Sequence, residues 1–214
     1  MFDGLEVDML SLGDADSILV TRWDGNKASR VLIDGGNKGD ASIVRSFLRG
    51  LNITHLNAVV CTHPHDDHAA GLIELVRDES LTIGTAYTHY PQLHLEMSKV
   101  GKALEATKGL EENSVLEKSL NTAHDLVTAL LARSIPIYEP FTGTKIEFLT
   151  VVGPSQAYYE ELLGEFQDAD RIRAISEKER LWNIQNSLIQ KGLLSSSDLP
   201  PENSARGNWS SLVM

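Results

Sequence analysis

The sequence predicts a layered α/β fold, in which strands alternate with helices along most of the chain. Of its 214 residues, 42% are hydrophobic, which suits the core of one domain and is too much for a disordered chain. Short runs with the two-residue period of strands alternate with stretches that have the spacing of amphipathic helices. No apolar run reaches the ~18 residues of a membrane span, so we expect no membrane-spanning segment.

Charge and cysteine content exclude several other classes. The 30 acidic and 19 basic side chains give a net charge of −11, which argues against a broad basic surface for nucleic acid. The single Cys61 excludes a disulfide framework and a zinc site built from cysteines alone. Because the sequence starts without the features of a signal peptide and Cys61 suits a reducing compartment, we expect a cytoplasmic protein.

The first third of the chain predicts an antiparallel arrangement followed by a helix. Residues 5–10 alternate apolar and polar side chains, and residues 17–23 resume that pattern after a Gly-Asp-rich break. Asp24-Gly25-Asn26 is typical of a hairpin turn, since these residue types tolerate positive φ. Residues 30–34 then form the returning strand, and the apolar spacing over residues 41–51 predicts a helix.

The middle and the end of the chain continue the alternation. We expect strands over residues 56–62 and 81–90, helices over residues 69–77, 92–118 and 122–133, and further strands over residues 135–138 and 146–152. Residues 155–194 form a charged helical stretch, and a Ser- and Pro-rich loop follows it. The last residues, Leu212-Val213-Met214, have the character of a strand that is just beginning.

One seven-residue segment concentrates the chemistry of a metal site. After the strand at residues 56–62 comes Thr62-His63-Pro64-His65-Asp66-Asp67-His68, with three imidazoles and two carboxylates. Pro64 favours a loop over a helix or a strand. In such a loop His63 and His65 can chelate one metal ion, while Asp67 and His68 address a second point nearby. Imidazole nitrogen and carboxylate oxygen are ligands of Zn²⁺, and they also suit Mn²⁺ or Fe.

The remaining four histidines carry no comparable pattern. His55, His89, His94 and His124 are isolated in the sequence. An isolated histidine is more often an incidental residue of a solvated polar loop than a ligand, and we expect that role for all four.

The seven-residue segment resembles the signature of the metallo-β-lactamase superfamily, His-x-His-x-Asp-His after a strand. The match is complete at His63, His65, Asp67 and His68. Within the superfamily, the chain is most similar to the hydrolase domain of ComEC-like DNA-uptake proteins. That similarity involves the segments 12–18, 32–36, 147–154 and 208–213, although Asp14 and Ala15 stand where that branch has Gln and Gly.

The resemblance implies a fold and a set of roles. The fold would be an αββα sandwich in which residues 1–214 form a single domain with a helical insertion at about 155–207. His63 and His65 would hold the first of one or two Zn²⁺ ions, and Asp67 and His68 the second. Asp67 would also be catalytic, by orienting a water molecule and taking its proton. Supporting hydrogen bonds would come from Asp34, Asp16 and Asn208, although Asp34 also reads as a plain strand-end residue and Asn208 as a plain turn residue.

The same resemblance implies that part of the site is missing. The superfamily completes its site downstream with a bridging aspartate in a Gly-Asp pair and a final histidine, and the sequence ends at Met214 without them. We therefore expect a domain that is incomplete at its C-terminus. Truncation, completion by a partner chain or homo-oligomer, and loss of catalysis are the competing explanations, and we favour truncation.

Two functions follow from these observations. The first is a metal-dependent hydrolase that cleaves a small-molecule or nucleic-acid phosphodiester, or a related ester, through a metal-activated water. The alternative is a catalytically impaired metal-binding or protein-interaction module that lacks the bridging aspartate and the final histidine. Metal content and phosphodiesterase activity would separate the two functions.

Overall fold

The computed structural model describes residues 3–94 and 115–165. The chain divides into two compact units, one formed by Met1–Tyr90 with Lys118–Tyr158 and the other by Pro91–Glu117 with Tyr159–Met214. The first unit contains the β-sheet and the seven-residue segment that concentrates histidines. It is therefore the unit that positions the candidate site.

The main sheet has six strands that neighbour one another in sequence order. They are β1 (Gly4–Met9), β2 (Ile18–Asp24), β3 (Lys27–Ile33), β4 (His55–Cys61), β5 (Thr82–Thr88) and β6 (Ile137–Tyr138). The first three strands pair antiparallel, whereas β3 to β6 pair parallel. Parallel strands need a crossover, and helices lie in the sequence between β3 and β4 and between β4 and β5.

Five helices lie within the described residues. They are α1 (Ala41–Gly50), α2 (Asp66–Val76), α3 (Pro91–His94), α4 (Val115–Ala132) and α5 (Gln156–Glu165). Helix α1 packs against α2, and α2 packs against β4. None of the helices in this part of the chain is long and apolar enough to cross a membrane.

The main sheet is buried on both of its faces. A hairpin of β7 (Lys145–Ile146) and β8 (Leu149–Thr150) packs against one face, where Ile146 lies with Val31, Ala58 and Val60. The other face contains the register partners Leu19, Leu32 and Val59, all of them buried. A parallel sheet covered on both sides is the expected arrangement of a layered α/β fold.

Strand β1 is the exception, because it lies at the edge of the sheet. Its side chains Leu5, Val7 and Met9 are 58%, 57% and 75% exposed within the described part of the molecule. These three side chains lie on the same face of the strand, because every second residue of a strand points to the same side. An apolar edge of this kind is a site where other chains can associate.

The second unit is described over a few residues only. His94 at the end of α3 lies with its Nδ1 2.9 Å from Oε1 of Glu160 on α5, and its ring stands edge-on to Tyr159 at 5.4 Å between centroids. His94 thus has a local structural role in this unit.

Most of the predicted elements are confirmed. The structure has strands within residues 5–10, 17–23, 30–34, 56–62 and 81–90, and helices within residues 41–51, 69–77 and 122–133. The α/β class with a layered sheet is confirmed with them. The predictions for residues 95–114 and 166–214, which include most of the helical insertion and Asn208, lie outside the described residues.

Two local predictions are wrong. Residues 146–152 do not form one strand, because the chain reverses at Glu147, which has a φ of +53°, and folds into the β7–β8 hairpin. The histidine-rich segment is only partly a loop, since α2 begins at Asp66. Pro64 lies in the loop after β4, two residues before the helix, and does not interfere with it.

Candidate metal centre

The candidate ligands lie partly in the loop after β4 and partly in the first turn of α2. Residues 62–65 form the loop after Cys61, and His65 has the extended conformation of a residue that precedes a helix. The amides of His68 and Ala69 donate to the His65 carbonyl at 3.1 and 2.9 Å, which closes the first turn of α2. Asp66 and Asp67 in that turn suit the positive end of the helix dipole.

This backbone brings the four predicted ligands together. The ring centroid of His63 lies 4.7 Å from that of His65 and 3.9 Å from that of His68. Nε2 of His68 is 3.5 Å from Oδ2 of Asp67 and 3.9 Å from Oδ2 of Asp16. Three imidazoles and two carboxylates therefore share one small region at the end of β4.

Asp34 lies beneath this cluster and contacts two parts of it. Its side chain is buried, its Oδ1 accepts the backbone N–H of Thr62 at 2.8 Å, and its Oδ2 accepts the Thr62 hydroxyl at 2.6 Å. The same Oδ2 is 2.8 Å from Nδ1 of His68. Asp34 has a φ of +58°, a conformation that few residues other than Gly, Asn and Asp adopt. These contacts connect the end of β3 to both the loop and the helix.

Backbone hydrogen bonds tie Asp16 and a pair of glycines to the same helix turn. The amide of Asp16 donates to the Asp67 carbonyl at 3.3 Å, and the amide of Gly35 donates to the His68 carbonyl at 2.8 Å. The amide of Gly71 donates to the Gly36 carbonyl, also at 2.8 Å. Asp67 and His68 are thus held by main-chain contacts from two other segments.

Burial and the neighbouring imidazoles affect the protonation of His63. Partial burial, followed by the proximity of His68 and His65, holds the pKa of His63 below its ordinary value. The neutral imidazole is the form that can donate a lone pair to a cation. His63 is therefore in its ligating form at neutral pH.

The donor set fits a divalent cation in its chemistry. Two donors on a tetrahedral Zn²⁺ lie about 3.3 Å apart, given metal–ligand distances of about 2.0–2.1 Å. The 3.5 Å between His68 Nε2 and Asp67 Oδ2 is close to that separation. Within residues 3–94 and 115–165, however, no three His, Cys, Asp or Glu side chains already surround one point as the ligands of an ion.

Sequence reasoning missed several residues of this region. Thr62 bonds Asp34, and its Oγ1 is also 3.1 Å from Nδ1 of His63. Ser17 donates its hydroxyl to the Asp34 carbonyl at 3.0 Å. A glycine inside a helix is a weak signal of close packing, and Gly71 is such a residue. For Thr62, a hydroxyl directly before the first ligand is the only signal that the sequence contains.

Other polar residues lie near the cluster or apart from it. Asp66 accepts the hydroxyl of Thr122 on α4 at 2.7 Å. His89 and His124 are buried, the first against the ring of Phe141 and the second 3.4 Å from the hydroxyl of Tyr90. The expected solvated positions are therefore wrong for both histidines, which lie in the core.

The reactivity of Cys61 tests whether the end of β4 is buried. Its thiol is buried and directed at the His63 carbonyl, 3.2 Å away. Burial, with a smaller effect from the charge of Asp34, raises the pKa of Cys61 to about 12. Because the thiolate is the reactive form, alkylation by iodoacetamide at pH 8 is expected to be on the order of 10³ times slower in the folded chain than in denaturant.

The exposed position of Lys27 supplies the control for this labelling. A Lys27→Cys variant contains one exposed and one buried thiol, and mass spectrometry should show rapid modification of the first alone. Equal rates at the two positions in the folded protein would contradict the buried environment of Cys61.

Comparison with known proteins gives one family. The model of the metallo-beta-lactamase superfamily matches residues 11–153, about two thirds of the chain. The matched region includes the four predicted ligands together with Asp16 and Asp34. A comparison with curated proteins found no match. On the extent of the family match and the α/β fold, the chain belongs to the metallo-beta-lactamase superfamily.

Proposed function

We propose that this protein is a metal-dependent hydrolase that cleaves a phosphodiester or a related ester with an activated water molecule. One observation supports the proposal: the side chains of His63, His65, Asp67 and His68 lie close together within a domain of the metallo-beta-lactamase superfamily. Members of this superfamily typically bind zinc or other divalent metals.

The chain's own residues suggest a division of roles. His63 and His65 would hold a first cation, and Asp67 with His68 would hold a second, with Zn²⁺ as the first choice and Mn²⁺ or Fe as alternatives. A divalent cation held there would lower the pKa of a bound water to about 7, far below that of bulk water, and would so supply hydroxide at neutral pH.

Asp67 is the residue that we propose as the general base. Its side chain is 41% exposed, so that a water molecule and a substrate can reach it. It lies in the first turn of α2, which the backbone contacts to Asp16 and Gly35 hold in place. A base of this kind must lie within hydrogen-bond reach of the proton that it takes, and a rigid helix turn satisfies that requirement better than a free loop does.

The choice of a phosphodiester rests on the sequence. Residues 12–18 and 32–36 resemble the ComEC-like branch, whose members belong to DNA uptake. The net charge of −11 opposes tight nonspecific binding of a long polyanion, which needs several Lys or Arg contacts. We therefore propose a small phosphodiester, or the end of a nucleic acid, as the substrate class.

A second candidate is a metal-binding or interaction module with impaired catalysis. It is favoured by the observation that, in the part of the chain that the structure describes, no three candidate ligands already converge on one point. In this case the His63–His68 segment would bind metal weakly or serve a structural role. The two candidates differ in how much metal the protein retains and in whether that metal supports turnover.

The test combines metal content with hydrolysis by the full chain. After equilibration with Zn²⁺ or Mn²⁺ and removal of free metal, we expect one to two equivalents of metal and turnover of bis-p-nitrophenyl phosphate. His63→Ala and Asp67→Ala are expected to lower kcat/KM by about 10²–10⁴-fold, whereas His55→Ala, at an exposed position on β4, should leave it unchanged. Less than half an equivalent of metal would favour the second candidate, and unchanged activity in both variants would refute the assigned roles.

A further inference from the structure

We propose that Thr62 is a positioning residue of the metal centre, and that its hydroxyl holds His63 in the tautomer with the proton on Nδ1. Nε2 of His63 is then the nitrogen that can bind a cation. This inference rests on the proposed function, because it assigns the ligand atom of one of its residues. It concerns a side chain that stands outside the four predicted ligands.

The proton of the Thr62 hydroxyl has one possible acceptor among its two neighbours. Oγ1 of Thr62 is 2.6 Å from Oδ2 of Asp34, and Oδ1 of Asp34 accepts the Thr62 backbone N–H at 2.8 Å. A carboxylate oxygen can only accept a hydrogen bond. The hydroxyl must therefore donate its single proton to Asp34, and the bidentate contact holds the threonine in one orientation.

The ring of His63 contacts the same hydroxyl oxygen. Nδ1 of His63 is 3.1 Å from the same Oγ1. Since the hydroxyl proton is directed at Asp34, Oγ1 has only lone pairs to offer to the imidazole. Nδ1 must then be the donor, and in the neutral ring Nε2 carries the lone pair.

The same carboxylate also sets the tautomer of His68. Nδ1 of His68 is 2.8 Å from Oδ2 of Asp34, so His68 also carries its proton on Nδ1. Its Nε2 faces Oδ2 of Asp67 at 3.5 Å. One oxygen of Asp34 thus sets the tautomer of two rings whose centroids are 3.9 Å apart, directly for His68 and through Thr62 for His63.

This arrangement has a consequence for metal affinity. A ring whose tautomer and orientation are already set loses less freedom when it binds a cation, and partners of ligating histidines are typically worth 10–100-fold in affinity. Thr62→Val keeps the shape of the side chain and removes the hydroxyl. Thr62→Ser keeps the hydroxyl and removes the methyl group, which makes it the matched control.

The tautomers can be measured before any metal is added. In the metal-free full chain labelled with ¹⁵N-histidine, two-bond ¹⁵N–¹H correlation spectra at pH 7.5 should show the Nδ1–H form for His63 and His68, assigned through His63→Ala and His68→Ala. In Thr62→Val we expect His63 to shift towards the Nε2–H form while His68, which keeps Asp34, stays unchanged. Thr62→Ser should retain the wild-type pattern.

The second readout is affinity in a competition titration with Zn²⁺. We expect Thr62→Val to bind about 10–100-fold more weakly than the wild type, and Thr62→Ser to restore binding. A wild-type His63 in the Nε2–H form would overturn the inference, and that spectrum decides the matter even if Thr62→Val fails to fold. Unchanged tautomer and affinity in a folded Thr62→Val would also overturn it. A wild type that binds no metal but shows the Nδ1–H form would overturn the proposed function and support the action of Thr62 on His63.

Discussion

Gly71→Ala is expected to destabilise the protein by at least about 3 kcal/mol, a large share of the 5–15 kcal/mol that holds a typical domain together. A Cβ at this position would overlap the backbone carbonyl of Gly35. Neither partner can move away freely, because Gly71 donates to the Gly36 carbonyl and Gly35 donates to the His68 carbonyl. The clash is therefore between two backbones, and no side-chain rotation relieves it.

Gly50→Ala is the matched control for this prediction. Gly50 also lies in a helix, but a Cβ there would meet open space. Since alanine favours the helix over glycine by up to about 1 kcal/mol, Gly50→Ala should be neutral or stabilising. Urea unfolding of both variants, followed by circular dichroism, measures the difference. Similar midpoints for the two would contradict the close approach of α2 to the segment after β3.

Asp34→Ala is expected to lower both stability and metal affinity. The substitution leaves three donors without their acceptor: the amide and hydroxyl of Thr62 and Nδ1 of His68. An unsatisfied buried donor costs about 1–3 kcal/mol, so a loss of about 2–4 kcal/mol is expected in thermal or chemical unfolding without metal. Zn²⁺ affinity should fall by about 10–100-fold, since His63 and His68 lose the group that orients them.

Asp34→Asn tests the charge and the hydrogen-bond acceptors of the side chain without disturbing the backbone conformation. Asparagine tolerates the φ of +58° at this position, and its carbonyl oxygen can still accept the Thr62 amide. Its NH₂ group, however, would face the Thr62 hydroxyl and His68. We expect a stability between those of the wild type and Asp34→Ala, with metal affinity near that of Asp34→Ala. Wild-type behaviour of Asp34→Asn in both assays would show that the acceptor role is wrong.

Several parts of this site could be predicted from local sequence. The spacing of His63, His65, Asp67 and His68 after a β-branched run predicts a cluster of donors, because residues within one short connection cannot lie far apart. Strand periodicity placed Asp34 at the end of β3, and the parallel pairing of β3 with β4 in the structure brings that end beside the end of β4. The sequence inferences need only the chain direction and the period of a strand.

Other parts could not be predicted, because they depend on contacts between distant segments. Residues 146–152 have the composition of one strand, but the packing of Ile146 and Phe148 against Val31, Ala58 and Val60 accompanies a hairpin. The start of α2 at Asp66 accompanies the main-chain bonds that Asp16 and Gly35 make to the first turn of the helix. Neither partner adjoins the segment that it contacts in the sequence.

The sequence by itself determined the α/β class, the positions of most strands along the chain and the identity of the candidate ligands, since periodicity and residue chemistry are local properties. Only the tertiary structure decided which atoms those ligands present. Asp34 reaches Thr62 across 28 positions and His68 across 34 positions, and a hydrogen bond over such a separation exists only once the sheet has formed. One short segment thus supplies the candidate ligands, whereas a residue at the end of another strand, Asp34, sets the orientation of their side chains.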